Sequence, residues 1–261
     1  PLYSSAASDV YKRQVLNDYK PVTLPADEEK RLVSAGVDII TGRQDESLLD
    51  GVDRIVISPG ISLDIPIVKA AQARGIDVVS EVEVAYELSK SPIVAVTGTN
   101  GKTTTTTLLT KVLEGTGKPV RVGGNIGDSL SEVAYSMPAD GFLVAELSSY
   151  QLETIKHFRP IGAIMLNITP DHLARHKTME NYIAAKERIF ENQLSTDFMV
   201  LNIDDLIVAD MKHRAPSHIL EISQHQVVSN GAYYDKGQCY VTKNGIATVS
   251  YTHLTLPTNR E

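Results

Sequence analysis

Short apolar runs alternate with amphipathic stretches along most of the chain. VLN (15–17) ends at Asp18, and PADEEKRLVSAG (25–36) has helical spacing and stops at Gly36. VDII, DRIVIS, IVKAAQARG and IDVVS continue the alternation up to Ser80. Strand–helix repetition with β-branched runs predicts a parallel sheet covered by helices. The polar, proline-marked SKSP (89–92) predicts a domain boundary. Beyond it, IVAVTG (93–98), VRVG (120–123), FLVAEL (142–147), AIMLNI (163–168) and FMVLNI (198–203) are almost wholly apolar. Strands buried on both faces of a parallel sheet require such runs. After about Ser217 the runs shorten, with turns at YDKG (234–237) and KNG (243–245). The second is an Asn-Gly hairpin signal, so a small antiparallel extension is expected there.

The two ends break the pattern. PLYSSAASDVYKRQ (1–14) and SYTHLTLPTNRE (250–261) follow neither period and resemble translated linker sequence. The expected organisation is a non-native leader over 1–14, one domain over 15–90, a second over 91–249 and a non-native tail over 250–261. The start at Pro1 reads as a fragment or a processed piece. At 42% hydrophobic and 22% charged, the 261 residues have an ordinary globular composition. The net charge of −7 argues against a broad nucleic-acid surface, which needs basic clusters. No apolar run approaches bilayer length, so no membrane insertion is expected. A single cysteine, Cys239, excludes an internal disulfide and fits a reducing, cytoplasmic setting.

Candidate chemistry begins at TGTNGKTTTTT (97–107). Strand IVAV runs into Gly98, Thr99, Asn100 and Gly101. The glycines allow backbone N–H groups close to an anion, and the helix that follows points its positive end there. Lys102 is placed to reach outer phosphates and the Thr103 hydroxyl to ligate Mg²⁺, with Thr104 beside it. The common pattern has a glycine five residues before Gly101, where this chain has Val96, so the loop is a shorter variant. Thr105 to Thr107 are expected only to pack.

Glu146 ends the apolar FLVAE run, at the strand edge outside which ligands bind in open α/β sheets. A carboxylate there suits Mg²⁺, and a cap or surface glutamate is the alternative. Ser148, Ser149 and Gln151 follow as polar contacts in the same crevice. TMENYIAAKERIFENQ (178–193) reads as one amphipathic helix whose apolar face carries Tyr182, Ile189 and Phe190. Lys186 falls in the middle of that face. Burial would push its pKa down and leave an amine open to modification, whereas snorkelling would keep it charged. Asp171 and His172 lie just past AIMLNI and face the same crevice.

TGTNGKTT, GGNIG (123–127), ELSSYQLE (146–153), NITPDHLARH (167–176) and YIAAKERIFEN (182–192) together resemble the Mur ligase family in order and spacing, and SPGI (58–61) resembles its first domain. These are the ATP-dependent amide ligases of bacterial cell-wall precursor synthesis, and the resemblance covers about residues 15–249. It implies an α/β fold: a partial Rossmann-like N-terminal domain for the UDP-substrate, then a P-loop-type central ATPase domain with a mostly parallel sheet and a small antiparallel β extension. ELSSYQLE is similar to the signature of the member that joins D-glutamate to UDP-N-acetylmuramoyl-L-alanine through an acyl phosphate. The cofactors implied are ATP and Mg²⁺, and the implied state is a monomer. By the family pattern Thr103 and Glu146 hold one Mg²⁺, while His172 and a carbamylated Lys186 serve a second. Asn125 contacts the sugar, and Ser58 and Gly60 the UDP end, with Ser148 and Gln151 on the substrate.

Two departures stand out. The family usually has aspartate where this chain has Ala174, which puts the arginine and salt links expected there in doubt. The first strand and glycine-rich turn, and the amino-acid-binding C-terminal domain, are expected to be missing, so the isolated piece is expected to bind ATP weakly and make no amide bond. A sister ligase, a folate polyglutamylating enzyme and a non-catalytic nucleotide-binding module are the alternatives.

Overall fold

The computed structural model describes residues 13–251. Most of the expected leader and tail lies outside them, although Gln14 opens the first strand and Ser250 and Tyr251 close the last. In the first unit, β1 (Gln14–Asp18) pairs in parallel with β2 (Val37–Thr41) across α1 (Ala26–Ser34). Acidic Asp27, Glu28 and Glu29 sit at the positive end of α1, and Gly36, at φ +80°, turns the chain out of it. A 3₁₀ turn (Glu46–Leu49) leads to β3 (Arg54–Ile57), which pairs in parallel with β4 (Asp77–Ser80) across α2 (Pro66–Ala73). Each pair is a separate two-stranded sheet among the described residues. The β3–β4 pair packs on a small core of Leu49, Ile57, Ile67, Val68, Ala71 and Val78, which takes in no side chain of β1, α1 or β2.

The next helix, α3 (Glu81–Leu88), belongs elsewhere. Val82 and Ala85 enter the large core of the second unit, and Glu83, wholly buried, accepts hydrogen bonds from the backbone N–H groups of Lys156, His157 and Phe158 at 2.7, 2.8 and 3.1 Å. The structural division therefore falls before Glu81, ahead of the expected SKSP junction. Helix periodicity shows that α3 has an apolar face, not which core receives it.

The second unit is built on β5 (Ile93–Thr97), α4 (Lys102–Glu114), β6 (Val120–Gly124), α5 (Leu130–Ser136), β7 (Phe142–Glu146), α6 (Ser149–Leu152), β8 (Gly162–Met165), α7 (Leu173–His176), α8 (Met179–Glu187), β9 (Phe198–Asn202), α9 (Leu206–Asp210) and β10 to β13 (His218–Ser223, Gly231–Asp235, Gln238–Lys243, Ile246–Tyr251). The described strands form one sheet in the order β13-β12-β11-β10-β9-β8-β5-β7-β6. It is parallel from β6 to β11 and antiparallel from β11 to β13. The extension expected after Ser217 thus continues the main sheet. Its hairpins turn at Lys236–Gly237 and Asn244–Gly245, all four residues at positive φ, as two-residue turns of the favoured hand require. The helix expected over 178–193 ends at Glu187 and tightens into a 3₁₀ turn (Arg188–Phe190). There the Arg188 guanidinium reaches the carbonyls of Glu153 and Ile155. No helix among the described residues is long and apolar enough to cross a membrane.

Candidate functional site

Strand order reverses beside β5: the chain passes to β6 and β7 on one side, then to β8 on the other. A crevice opens outside the carboxyl ends of parallel strands at such a reversal, and the 97–102 loop leaves β5 there. Gly98 sits at φ +149°, where an added Cβ would lie 3.0 Å from the Leu166 Cβ, so the close approach of this loop to the segment after β8 demands glycine. The two segments are knitted together. Thr99 N–H donates to the Asn167 carbonyl at 2.9 Å, and the Asn167 amide makes reciprocal bonds with the Asn100 backbone at 2.8 and 3.0 Å. The Thr99 hydroxyl meets the Tyr182 hydroxyl at 3.0 Å and accepts from Thr169 N–H. Asn167 holds the loop; its only sequence signal was its place at the end of a strand.

Two lysines meet at one oxygen. Lys102 Nζ donates to the carbonyls of Gly98 and Thr99 at 3.1 and 2.9 Å. Lys186 Nζ donates to the same Gly98 carbonyl at 2.8 Å and to Thr97 Oγ1 at 3.3 Å. Lys186 is 1% exposed, so snorkelling is excluded. Burial, and after it repulsion from Lys102, brings its pKa down from 10.5 to about 7. Its Nζ lies 5.0 Å over the Tyr182 ring, one helical turn earlier on α8. Thr97 was not singled out from sequence, yet its buried hydroxyl also donates to the Leu147 carbonyl at 2.7 Å, joining the ends of β5 and β7.

Glu146 occupies that end of β7, 1% exposed and beside Val96 in register. Its Oε1 accepts from Asn125 Nδ2 at 2.9 Å, while its Oε2 is buried without a hydrogen-bond partner. The Asn125 N–H holds the Glu146 carbonyl at 2.8 Å, and a Cβ on neighbouring Gly124 would fall 2.4 Å from that same oxygen. The GGNIG loop therefore rides on the backbone of the acid. A buried carboxylate oxygen without a partner, at the strand end beside the phosphate loop, fits a hydrated divalent ion with phosphate ligands. Among the described residues no cluster of three His, Cys, Asp or Glu side chains stands close enough to hold an ion unaided.

Other expected groups are disposed differently. His172 is 44% exposed in its side chain, at φ 54°, with its ring 4.9 Å from Tyr150 and 6.2 Å from Tyr182. No hydrogen bond among the described residues ties it to Glu146 or Lys186. Ser148 and Gln151 are turned on each other as the reciprocal cap of α6. Thr103 and Thr104 are exposed on the first turn of α4. Of the remaining threonines only Thr106 is buried; Thr107 is exposed and donates to the Thr103 carbonyl at 2.8 Å. Threonine in a helix can bond back along its own turn, a local option that packing arguments overlook. Arg175 forms a two-pronged ion pair with Glu153, with no acid at 174 involved.

Ser58 and Gly60 lie on the exposed turn after β3. Asp64, just beyond, is held below the usual carboxylate range mainly by Lys69, with smaller contributions from Lys177 and Arg175. On the far side of the phosphate loop a cleft of about 730 Å³ runs from Asn100, Thr105 and Asn167 to Tyr233, Tyr234 and Cys239 of the hairpin extension. The strands of this wall follow from apolar patterning, whereas the cleft between them depends on how distant segments pack.

Comparison with known proteins follows the same lines. The Mur ligase middle domain matches residues 96–258, and the N-terminal domain of MurD-like Mur ligases matches residues 22–80. A UDP-N-acetylmuramoylalanine–D-glutamate ligase of Thermoanaerobacter sp. is 44% identical over 243 residues, 90% of this chain and 54% of its own length. The ligase of the same name from Caldanaerobacter subterraneus is 47% identical over 213 residues, 82% of this chain and 47% of its own. The chain thus spans about half the length of the curated relatives it matches. In fold it resembles the UDP-N-acetylmuramate:L-alanyl-gamma-D-glutamyl-meso-diaminopimelate ligase from Neisseria meningitides (TM-score 0.56, 19% identity, 94% of this chain and 81% of that one). MurF from Acinetobacter baumannii is a second such likeness, at a TM-score of 0.52 and 16% identity over 95% of this chain and 58% of that one. With the middle-domain match covering more than half of its residues, the chain belongs to the Mur ligase family.

Proposed function

We propose that this chain carries the substrate-activating machinery of an ATP-dependent ligase that joins D-glutamate to UDP-N-acetylmuramoyl-L-alanine. The observation that carries the reading is the meeting of Lys102 and Lys186 on the Gly98 carbonyl, at the strand ends where Glu146 keeps a buried oxygen free. The names and identities of the curated relatives support the choice of substrates.

ATP supplies the phosphoryl group that converts the substrate carboxylate into an acyl phosphate, from which D-glutamate's amine displaces phosphate to form the amide. The protein's part is charge control. Lys102 swings from the loop carbonyls to the outer phosphates, and the loop and helix N–H groups that Asn167 does not hold receive their oxygens. Thr103 and the free oxygen of Glu146 would hold Mg²⁺. Lys186, with an amine substantially unprotonated near neutral pH, reacts with CO₂ to become a carbamate; the new anion offsets the charge of a neighbouring cation. His172 supplies a further nitrogen from the rim. The turn at Ser58 and Gly60 receives the UDP end, and Asn125, Ser148 and Gln151 the sugar side. Residues 15–80 serve the UDP-substrate and residues 81–251 the nucleotide.

Calorimetric titration with a non-hydrolysable ATP analogue tests this. The chain is expected to bind it more tightly with Mg²⁺ than without. Lys102→Met should weaken binding at least about tenfold, the scale of a lost charge-assisted contact, and Glu146→Gln should remove the Mg²⁺ dependence. Equal affinity in all three proteins sinks the proposal. Growth in ¹³C-bicarbonate should add a carbamate carbon resonance that Lys186→Met lacks.

A further inference from the structure

One buried constellation lies outside the machinery just described. His176 is the buried residue of α7, and its Nε2 lies 2.9 Å from Ser149 Oγ on the first turn of α6. Its Nδ1 lies 3.3 Å from Glu153 Oε1, while Arg175 takes the other oxygen of Glu153 at 2.6 Å. Tyr150 and Tyr182 flank the ring at centroid distances of 5.4 and 5.3 Å, and the His176 carbonyl accepts from Asn181 Nδ2 at 2.8 Å.

These contacts fix the tautomer. A carboxylate oxygen offers only lone pairs, so the Nδ1 that faces Glu153 at 3.3 Å carries the hydrogen rather than a second, repelling lone pair. Burial disfavours the imidazolium and draws the pKa of His176 down, against the opposing pull of Glu153. Nε2 is then a bare lone pair that accepts the Ser149 hydroxyl. Buried with few routes to solvent, the serine is poorly placed to attack a substrate; the arrangement is a brace.

What it braces follows from α7 itself. A four-residue helix does not support itself, and this one is bracketed by two non-glycine residues at positive φ, His172 at 54° and Lys177 at 73°. Such conformations persist only where the surroundings over-determine them. Ser149 stands three residues beyond Glu146 at the same strand end, and His172 opens the turn that His176 closes, with His176 N–H on the His172 carbonyl at 3.1 Å. We infer that His176, held by Ser149 and Glu153 as the Nδ1–H tautomer, is a positioning residue that fixes His172 on the crevice rim relative to Glu146. Its consequence for a metal rests on the function proposed above; its structural content does not.

Histidine-labelled chain in solution tests both parts. Long-range ¹H–¹⁵N spectra are expected to show His176 Nε2 without an attached proton, and Glu153→Gln to abolish that single tautomer. His176→Phe keeps an aromatic ring and removes the Ser149 hydrogen bond and the polar contact with Glu153. It should lose the His172–Tyr150 ring contacts in nuclear Overhauser spectra while core methyl shifts stay in place. It should also weaken Mn²⁺ binding, followed by broadening of the His172 signal in the presence of ATP, by about 10- to 100-fold, the usual effect of losing a partner that orients a ligand. An Nε2–H tautomer in the wild-type chain overturns the inference, as do unchanged His172 contacts in His176→Phe. If the wild-type His172 signal ignores Mn²⁺ altogether, the metal assignment fails, while tautomer and ring contacts still decide the positioning role.

Discussion

The first unit and the nine-stranded unit differ in depth. Residues before Glu81 form two separate two-stranded sheets, and the six-residue core there packs under only one of them, β3–β4. Beyond it, one continuous sheet buries a core that takes in Val82, Leu147, Phe158, Met165, Tyr182 and Met199 together. Only the deep region can alter a side chain's chemistry. The pKa of Lys186 is brought down to about 7 because the core removes it from water, whereas Ser58 and Gly60 sit on an exposed turn where no such shift arises.

The joint between the regions offers the largest test. Glu83→Ala orphans three backbone donors on the segment 156–158 and should cost about 3–5 kcal/mol, read as an earlier urea midpoint of the deep unit. A loss confined to the shallow unit would place α3 on the wrong side of the division. Next in size, Leu49→Ala removes a large side chain from the six-residue cluster. About 2–3 kcal/mol is expected, at the low end because a small core collapses easily. The loss should appear only in the first unit's amide exchange; an equal effect in both regions would dissolve the contrast.

The smallest effect has the opposite sign. Lys186 is depressed to about 7 from 10.5, so between those values the unfolded chain binds more protons and stability rises with pH; below about pH 7 the full cost of burying the ammonium is present. Lys186→Met should therefore stabilise the chain at or below pH 7, by about 1–2 kcal/mol, the low end for replacing a buried charge with an apolar group, with the gain fading towards pH 10.5. Denaturation midpoints across that window check it, and a pH-independent difference would mean that burial does not strain the lysine.

Much of this was legible from local pattern. The apolar runs at 93–98, 142–147 and 163–168 became the strands that carry the phosphate loop, Glu146 and Asn167, and the wheel of 178–193 put Lys186 inside. What escaped depends on contacts between distant segments. Glu83 reads as one charge on a short helix until residues 156–158 arrive against it. Ser148 and Gln151 fit a crevice or a cap equally well by spacing, and their bonds to each other make the cap. His176 looks like a polar end to NITPDHLARH, since Glu153 and Ser149 lie on another element. Thr97 was passed over because the loop's glycines drew attention to its next residues.

The shared Gly98 oxygen has one more consequence. Two amino groups share a single acceptor, and the charge of Lys102 discourages a proton on Lys186. Anything that draws Lys102 outward towards solvent relieves the inner amine, which then takes up hydrogen ion from the buffer. The loop thereby couples an event at the mouth of the crevice to the acid–base state of a side chain that the visitor never touches.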